Sequence, residues 1–502
     1  MRCLPLVVML LASVSAAFGQ PNSIFYVSTT GDDSNSGTQA APWRTVQHAA
    51  DAVRAGSTVN VRGGIYEELV TIKASGNASD GYITFRSYPG ETAVLDAEHF
   101  TPSERQAVLT IHNQSYVRIE GFEIRNFHTA EHQLTPLGIS VLGAGSHIEL
   151  LKNNVHHIEQ TFEGRDGPGH GANGFGIAVY GTDAKAPITD LIVDGNEVHH
   201  LKTGSSESLV VNGNVTNFRI THNVVHDNNN IGIDVIGFER TAPDPAVDQA
   251  RDGVVSGNLV YNIHSRGNPA YQNEENSDGI YVDGGTRILI EQNVMHDDDF
   301  GLELASEHKD RATSYILARN NLIYHCHTAG VSIGGYDPER GHTDHSTVVN
   351  NTLYDNDTSG TGSGEFQMQW NMEDNIFTNN IVYAGSHCLI AVNKSQVDPN
   401  HPPVAIDHNL YYCASGAKTS VWAEVSGTIT GFDKYVESTG NDRHSRFLDP
   451  QFVDVVNDFH LRPDSPAIAA GMIEGVPVGE LDFEGSPRVQ SGKIDTGCYQ
   501  RK

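Results

Sequence analysis

Apolar and polar residues alternate along this chain in short bursts that return at a regular interval. Three neighbouring bursts are Gly279-Ile280-Tyr281-Val282-Asp283, Gly301-Leu302-Glu303-Leu304-Ala305 and Gly330-Val331-Ser332-Ile333-Gly334. In each, two apolar residues alternate with residues that point the other way, the period-2 signature of a strand with one buried face. Similar bursts open at Gly138, Gly176, Ser208, Gly232, Phe366 and Leu389. Between them runs a second mark: an Asn, an apolar residue two places on, and His or Tyr three places on. It recurs from Asn153-Val155-His156 to Asn409-Tyr411-Tyr412, and the last six occurrences lie 35, 28, 30, 29 and 29 residues apart. Two short strands and a Gly/Asn turn per period predict one coil of a parallel β-helix. Neighbouring coils would stack about 4.8 Å apart, the spacing of hydrogen-bonded strands.

The ends of the chain depart from this repeat. From Phe25 to Glu67 the pattern predicts a strand, a Gly/Asp/Ser-rich loop, an amphipathic helix near Thr45 to Val53 and a strand at Val59 to Val61. Such a helix would cover the open end of a stack of strands. Met1 to Gly19 reads as a secretory signal peptide: Arg2, an apolar stretch from Leu4 to Leu11 too short to span a bilayer, and small residues before Gln20. No later stretch is long and apolar enough to cross a membrane. The expected organisation is a signal peptide at 1–19, a cap with the first coils at 20–110, a β-helix core at 111–425 and a closing segment of the same domain at 426–502. A secreted or periplasmic monomer is expected.

Composition changes this picture in three places. Gly is abundant, with 50 in 502 residues, as tight coil turns require. Of the five Cys, Cys3 leaves with the signal. Cys326, Cys388, Cys413 and Cys498 are too scattered for a disulfide scaffold; one bridge is open to them, in a pairing the sequence does not assign. The net charge of −30 and the lack of a basic patch argue against nucleic acid as a partner. The same charge weighs mildly against a strongly anionic substrate, unless bound cations screen it. The 25 His invite a metal reading, but His156, His199, His226 and His296 share their repeat position with Tyr, which predicts stacking. No run matches a zinc spacing.

Aligning the coils on the Gly that opens the strand puts Asp234, Tyr281, Glu303, Ser332 and Gln367 in one outward column. The next outward column holds Ile236, Asp283, Ala305, Gly334 and Gln369. Asp283 and Glu303 are then one coil and two residues apart, roughly 8 Å between Cα atoms. Two carboxyls about 5 to 9 Å apart suit glycoside hydrolysis, one neutral to protonate the leaving oxygen and one ionised as nucleophile or base. Asp278, Asp299 and Glu307 lie close enough in sequence to join them as catalytic candidates, and crowding should raise at least one pKa. Asp278 shares the parity of Ile280 and Val282, which turns it inward unless the chain bends before Gly279. Asp234, Tyr281, His308, Lys309, Tyr336, Gln367 and Gln369 are candidates for holding a substrate. Loops at 162–173, 238–250 and 264–276 leave the coils next to these strands, where insertions in a solenoid form a binding face.

The segment from Phe25 to Glu67 resembles the N-terminal cap of secreted right-handed parallel β-helix proteins of the pectin-lyase-like superfamily, and Asp449 to Tyr499 resembles their closing segment. The resemblance covers nearly the whole chain and implies an all-β fold, a single-stranded right-handed parallel β-helix with a short capping helix. Asn276-Ser277-Asp278-Gly279-Ile280 resembles the Asn-Thr-Asp-Gly-Ile motif of polygalacturonase-type glycoside hydrolases, and Asp298-Asp299 sit where that family has its Asp-Asp pair. Ala329 stands where that family has His, and Gln367-Met368-Gln369 replaces its Arg-Ile-Lys. An Asp followed one coil later by a Glu is also similar to β-helix exo-glycosidases.

Three readings follow. The first is hydrolysis of a polysaccharide or oligosaccharide without a cofactor. The second is a Ca²⁺-dependent polysaccharide lyase, with Asp234, Asp283 and Glu303 as ligands to the ion. In that reading Lys309, Tyr281 or His308 takes the proton, and Arg311 or Arg340 assists. The third is a non-catalytic carbohydrate-binding β-helix.

Overall fold

The computed structural model describes residues 23–164, 172–272, 274–395 and 403–501. The expected signal peptide at 1–19 and parts of the loops at 162–173 and 264–276 lie outside the described residues.

Three long sheets form the walls of a β-helix. The first has 16 strands and runs from Ile24–Val27 to Val404–Asp407. The second has 13, from Val70–Ile72 to Gly427–Thr430, and the third has 13, from Gly64–Tyr66 to Arg446–Phe447. Consecutive coils pair in parallel, with one closing antiparallel pair, Val421–Glu424 against Gly427–Thr430. The Val, Ile and Leu of the alternating bursts meet inside: Ile177, Leu209, Ile233, Ile280, Leu302 and Val331 stack in register down the second sheet and are fully buried.

The Asn mark is the corner between the first and third sheets. The residue before each ladder Asn takes a left-handed backbone: φ is 54° at Lys152, 53° at His222, 58° at Gln292 and 55° at Asn320. Gly195 and Gly257 fill the same place at φ 67°, where the missing Cβ removes the strain. The turn leaves backbone groups unpaired inside the corner, and the Asn side chains satisfy them. Asn321 donates from Nδ2 to the Ile290 carbonyl at 3.0 Å and to Asn351 Oδ1 at 2.9 Å. Its own Oδ1 accepts from the backbone N and Nδ2 of Asn293, both at 3.0 Å. The same bonds repeat from Asn153 to Asn409.

One residue beyond the apolar position of that mark, the His/Tyr ladder stacks as the repeat predicts. Ring centroids of His199 and His226 lie 4.9 Å apart, those of His226 and Tyr261 4.8 Å, and those of Tyr261 and His296 5.1 Å, all nearly parallel.

Helix α1, Val46–Ala52, covers the first coils; Thr45 caps it by accepting from the His48 N–H at 3.1 Å. Helix α2, Phe432–Thr439, lies at the other end, where Tyr435 stacks on Trp422 at 4.4 Å. The tail then runs back along the Asn corner: Asn320 donates to the Leu481 carbonyl and Asn379 to that of Met472. Among the described residues, Cys326, Cys388, Cys413 and Cys498 are buried free thiols.

Replacing one rung of the ladder should therefore cost far more than an ordinary surface change. Asn321→Ala strips partners from two donors of Asn293 and one carbonyl, each worth about 1–3 kcal/mol when buried and unsatisfied. We expect a loss of about 3 kcal/mol or more in chemical denaturation; a variant as stable as the parent would show that the ladder is ornamental.

Candidate active site on the outer face of the second sheet

The outward column falls as the alternation predicts. Asp234, Tyr281, Glu303, Ser332 and Gln367 are neighbours in register across five strands. Asp283 pairs with Ala305, so it stands one coil and two residues from Glu303. These side chains face away from the core, yet loops cover them: Asp234 is 2% exposed, Asp283 4% and Tyr281 5%. The face expected to be open is thus largely closed over. Tyr281 packs with Ile231 and Ala305, and burial pushes its phenol well above the usual range. It is neither a base at neutral pH nor a free platform for a sugar.

Glu303 sits at the centre of a polar network. Its Oε1 accepts from Gln369 Nε2 at 2.6 Å and from Ser332 Oγ at 3.1 Å. Gln369 also donates to Ser332 Oγ at 2.6 Å, and Ser332 Oγ lies 3.3 Å from Gln367 Oε1. Both Gln serve this network, being 2% and 4% exposed. Asp278 meets Glu303 carboxyl to carboxyl. It does so although it begins the same strand as Ile280, Asp278–Asp283; at Gly279 between them a Cβ would lie 2.4 Å from Asp298 Oδ2 and 2.9 Å from the Gly301 carbonyl. Burial raises the Glu303 pKa from its usual 4.5 to about 7, against the lowering effect of Ser332, Asp278 and the charge of Lys394. Burial and the adjoining Glu303 drive Asp278 well up. The pair holds a proton at neutral pH.

A second carboxyl cluster surrounds Asp283, whose Oδ1 accepts from the Glu307 N–H at 2.8 Å. Burial, then the charges of Glu307, Glu239 and Glu207, raise the Asp283 pKa well above normal. Burial and the charges of Glu207 and Asp283 do the same to Asp234, whose Oδ1 is buried without a hydrogen-bond partner. Burial, with Glu239 nearby, takes Glu207 to about 8. Burial also raises Glu307, against the pull of Arg340, whose Nη1 is 3.6 Å from its carboxylate.

Sequence reasoning missed Glu207, Glu239 and Lys394. Glu207 had a signal: it lies two residues before Leu209, which stacks over Ile233 and Ile280, as Asp278 lies two before Ile280. Lys394 directly follows the strand Leu389–Asn393 of the same sheet. Glu239 sits in a loop, and nothing in the alternation points to it.

Other candidates fall elsewhere. Asp298 turns inward and accepts from the Ile263 N–H at 3.0 Å. Asp299 is fully buried and ties a corner together, accepting from the N–H groups of Ser265 and Ser277 at 2.9 and 3.1 Å. His264 and His327 stack with centroids 4.7 Å apart and hold its carboxyl near pKa 2, against its burial. Asp298 and Asp299 thus lie in hydrogen-bonded corners, away from the outward column of Glu303. Lys309 is paired with Glu339, which raises its pKa. Burial lowers the His308 pKa, and its Nε2 lies 3.8 Å from Glu239. Tyr336 is exposed with the Arg340 guanidinium 4.4 Å from its ring centre.

Oxygen donors in this cluster suit a hard cation. Among the described residues, however, Asp234, Asp283 and Glu303 do not converge on one point as expected. The acids that do converge are Asp283 and Glu239, with His308, their ligand atoms within 4.8 Å of one another.

Fold and register together define a pectin-lyase-like right-handed parallel β-helix with a carboxyl-rich site on its second sheet. Family models described as "Pel9A-like, right handed beta helix region" and "Right handed beta helix region" match residues 25–174 and 246–429. The chain belongs to the family of the uncharacterized protein YwoF of Bacillus subtilis (strain 168), with 38% identity over 445 residues, 88% of this chain and 91% of that one. Pectate lyase PEL9 of Emericella nidulans is 35% identical over 136 residues, 26% of this chain and 33% of its own length. A GH136 lacto-N-biosidase from Eubacterium ramulus shares the fold, with a TM-score of 0.50 and 14% identity over 80% of this chain and 68% of that one. No helix among the described residues is long and apolar enough to cross a membrane.

The proton on Glu303 leaves a thermodynamic mark. The folded carboxyl keeps it up to about pH 7, the ordinary one only to 4.5. Between these values the folded state binds more protons than the unfolded, so stability falls as pH rises. Glu303→Gln removes the titration and should gain on the parent by on the order of 1–3 kcal/mol from pH 4.5 to 7.5. A difference in unfolding free energy that stays flat with pH would contradict this.

Proposed function

We propose that this chain cleaves glycosidic bonds in a polysaccharide or oligosaccharide, by hydrolysis, with Glu303 as the proton donor. The observation that carries the reading is the Glu303 carboxyl itself. It faces outward, is oriented by Ser332 and Gln369, and holds a proton near pH 7. A general acid needs a pKa near the working pH. Asp278 is a positioning residue that shares the proton. Asp283, one coil and two residues away, is the second carboxyl, serving as base or nucleophile. Carboxyls as crowded as Asp283, Asp234 and Glu307 lose protons one after another, so the set offers protonated and ionised members together. The shared fold of the lacto-N-biosidase is compatible with this chemistry and does not decide it.

One observation favours a second reading. Asp234 Oδ1 is buried without a partner among acids that repel one another, and a divalent cation held by Glu239, Asp283 and His308 would ease that repulsion. In a lyase, such an ion would neutralise a uronate carboxylate, and the local identity to a pectate lyase supports this. We further propose that the chain is exported, on the strength of the Met1 to Gly19 pattern; a chain that stays in the cytoplasm with this segment intact would refute it.

A panel of polysaccharides, read by new reducing ends and by ultraviolet absorbance of unsaturated uronates, separates the readings. Reducing ends alone indicate hydrolysis; both signals together, lost with EDTA and restored by Ca²⁺, indicate the lyase. Under hydrolysis, Glu303→Gln and Asp283→Asn should each lower turnover about 10²-fold or more. Asp297→Asn should change it little. Parent turnover in both the Glu303 and Asp283 variants would remove these residues from the chemistry.

A further inference from the structure

At the corner between the third and second sheets, His264, Asp299 and His327 come together from three consecutive coils. The Asp299 N–H donates to the Ile263 carbonyl at 3.0 Å, and the His327 N–H to the Asp298 carbonyl at 2.8 Å. These are bonds of a parallel ladder, and they set the three residues over one another at one repeat position. The residues lie 35 and 28 apart in sequence, one coil each time, so no local spacing of ligand types announces them.

The two oxygens of Asp299, which is fully buried, are treated differently. Oδ2 accepts three hydrogen bonds, from the Ser265 N–H at 2.9 Å, the Ser265 hydroxyl at 3.0 Å and the Ser277 N–H at 3.1 Å. Oδ1 is buried with no hydrogen-bond partner among the described residues, and so is His264 Nδ1. Oδ1 faces both rings, 3.4 Å from His327 Nδ1 and 3.5 Å from His264 Nδ1. A charge-assisted hydrogen bond would close to about 2.7–2.9 Å. Other His–carboxylate groups in this chain do close: His226 Nδ1 is 2.6 Å from Asp227, and His444 Nδ1 is 2.6 Å from Asp407. The wider spacing here fits a shared ion instead. Bonds of about 2.0–2.1 Å at tetrahedral angles put ligand atoms about 3.3–3.4 Å apart, and the three ligand atoms lie within 4.8 Å of one another. The two imidazoles lean together across the intervening coil, with ring centroids 4.7 Å apart. Their side chains are 34% and 28% exposed, which leaves each ring room to tilt about Cβ–Cγ and aim its nitrogen at one point.

We infer that His264, Asp299 and His327 bind a divalent transition-metal ion of the zinc type, with solvent completing its coordination. Two imidazole nitrogens and one carboxylate oxygen suit Zn²⁺, whereas Ca²⁺ takes six or more oxygens. Ser265 and Ser277 supply the outer support that fixes a ligating carboxylate and leaves one oxygen free. The site is separate from the acids around Asp283 and does not depend on the glycoside-cleaving reading. An ion here fastens three coils where the strand bearing Glu303 begins, since Asp299 directly precedes Phe300–Ala305.

The test is titration of the full chain, stripped with EDTA and desalted, with Co²⁺ and with Zn²⁺. Co²⁺ held by few nitrogen and oxygen ligands absorbs visible light far more strongly than the octahedral aqua ion, so its spectrum reports the geometry. We expect Co²⁺ to give an intense visible band that Zn²⁺ abolishes and that about 1 mM Ca²⁺ leaves in place. His264→Ala and His327→Ala should each remove the band and weaken Zn²⁺ binding about 100-fold or more, since outer-shell partners alone carry about 10–100-fold. His444→Ala, in a hydrogen-bonded group elsewhere, should keep the parent affinity. Zn²⁺ should raise the Tm of the parent and not that of the His264 and His327 variants; their metal-free melting curves show that they fold. No binding, binding without the band, or one Zn²⁺ affinity shared by the parent and both variants would each overturn the inference and leave the three residues an ion pair alone.

Discussion

Each ladder Asn bonds the coil before it and the coil after it, and those bonds hold residues of equal repeat position over one another. Everything on the outer faces inherits that constraint. A parallel stack places side chains one strand spacing apart whether or not they attract. Where the sequence supplies His and Tyr, the result is a ladder of stacked rings. Where it supplies Asp234, Tyr281 and Glu303, the same geometry forces polar groups together on the second sheet. The Asn ladder also lies at a different corner from that sheet, so the frame that sets the register is separate from the groups that register brings together.

Burial then turns crowding into chemistry. An exposed acidic face would be screened by water and salt and would titrate in the ordinary range. Here loops from 203–208 and 238–250 close over the strands, and desolvation is the largest cause of the raised pKa of Glu207, Asp234, Asp278, Asp283 and Glu303. Three cations border the cluster without pairing deeply into it: Lys394 beside Glu303, Arg340 beside Glu307, and Arg311 against Phe238. The site is thus a carboxyl-rich floor with a cationic rim.

Much of this was written in the alternation. Period 2 within each burst and the near-30-residue return of the Asn mark specify strands, coils and their stacking, because both depend only on nearest neighbours along the chain and across one strand spacing. The column from Asp234 to Gln367 followed from that register alone. So did the stacking of His199, His226 and Tyr261, because residues at one repeat position have no other place to go.

What the alternation could not determine lay in bends and loops. Asp278 faces Glu303 against the parity of its strand, and parity does not register how Gly279 packs against Asp298 and Gly301. Asp299 seemed part of an acidic pair, yet His264 and Ser277 arrive from other turns to enclose it. Glu239, Arg240 and Phe238 reach the site on a loop whose path is set by Asp248, a hydrogen-bonding partner that no local pattern reveals. The sequence by itself determined which residues stack, since stacking is periodic. Only the tertiary structure decided which of them are buried and charged, since burial depends on what the loops, which have no period, bring over the sheet.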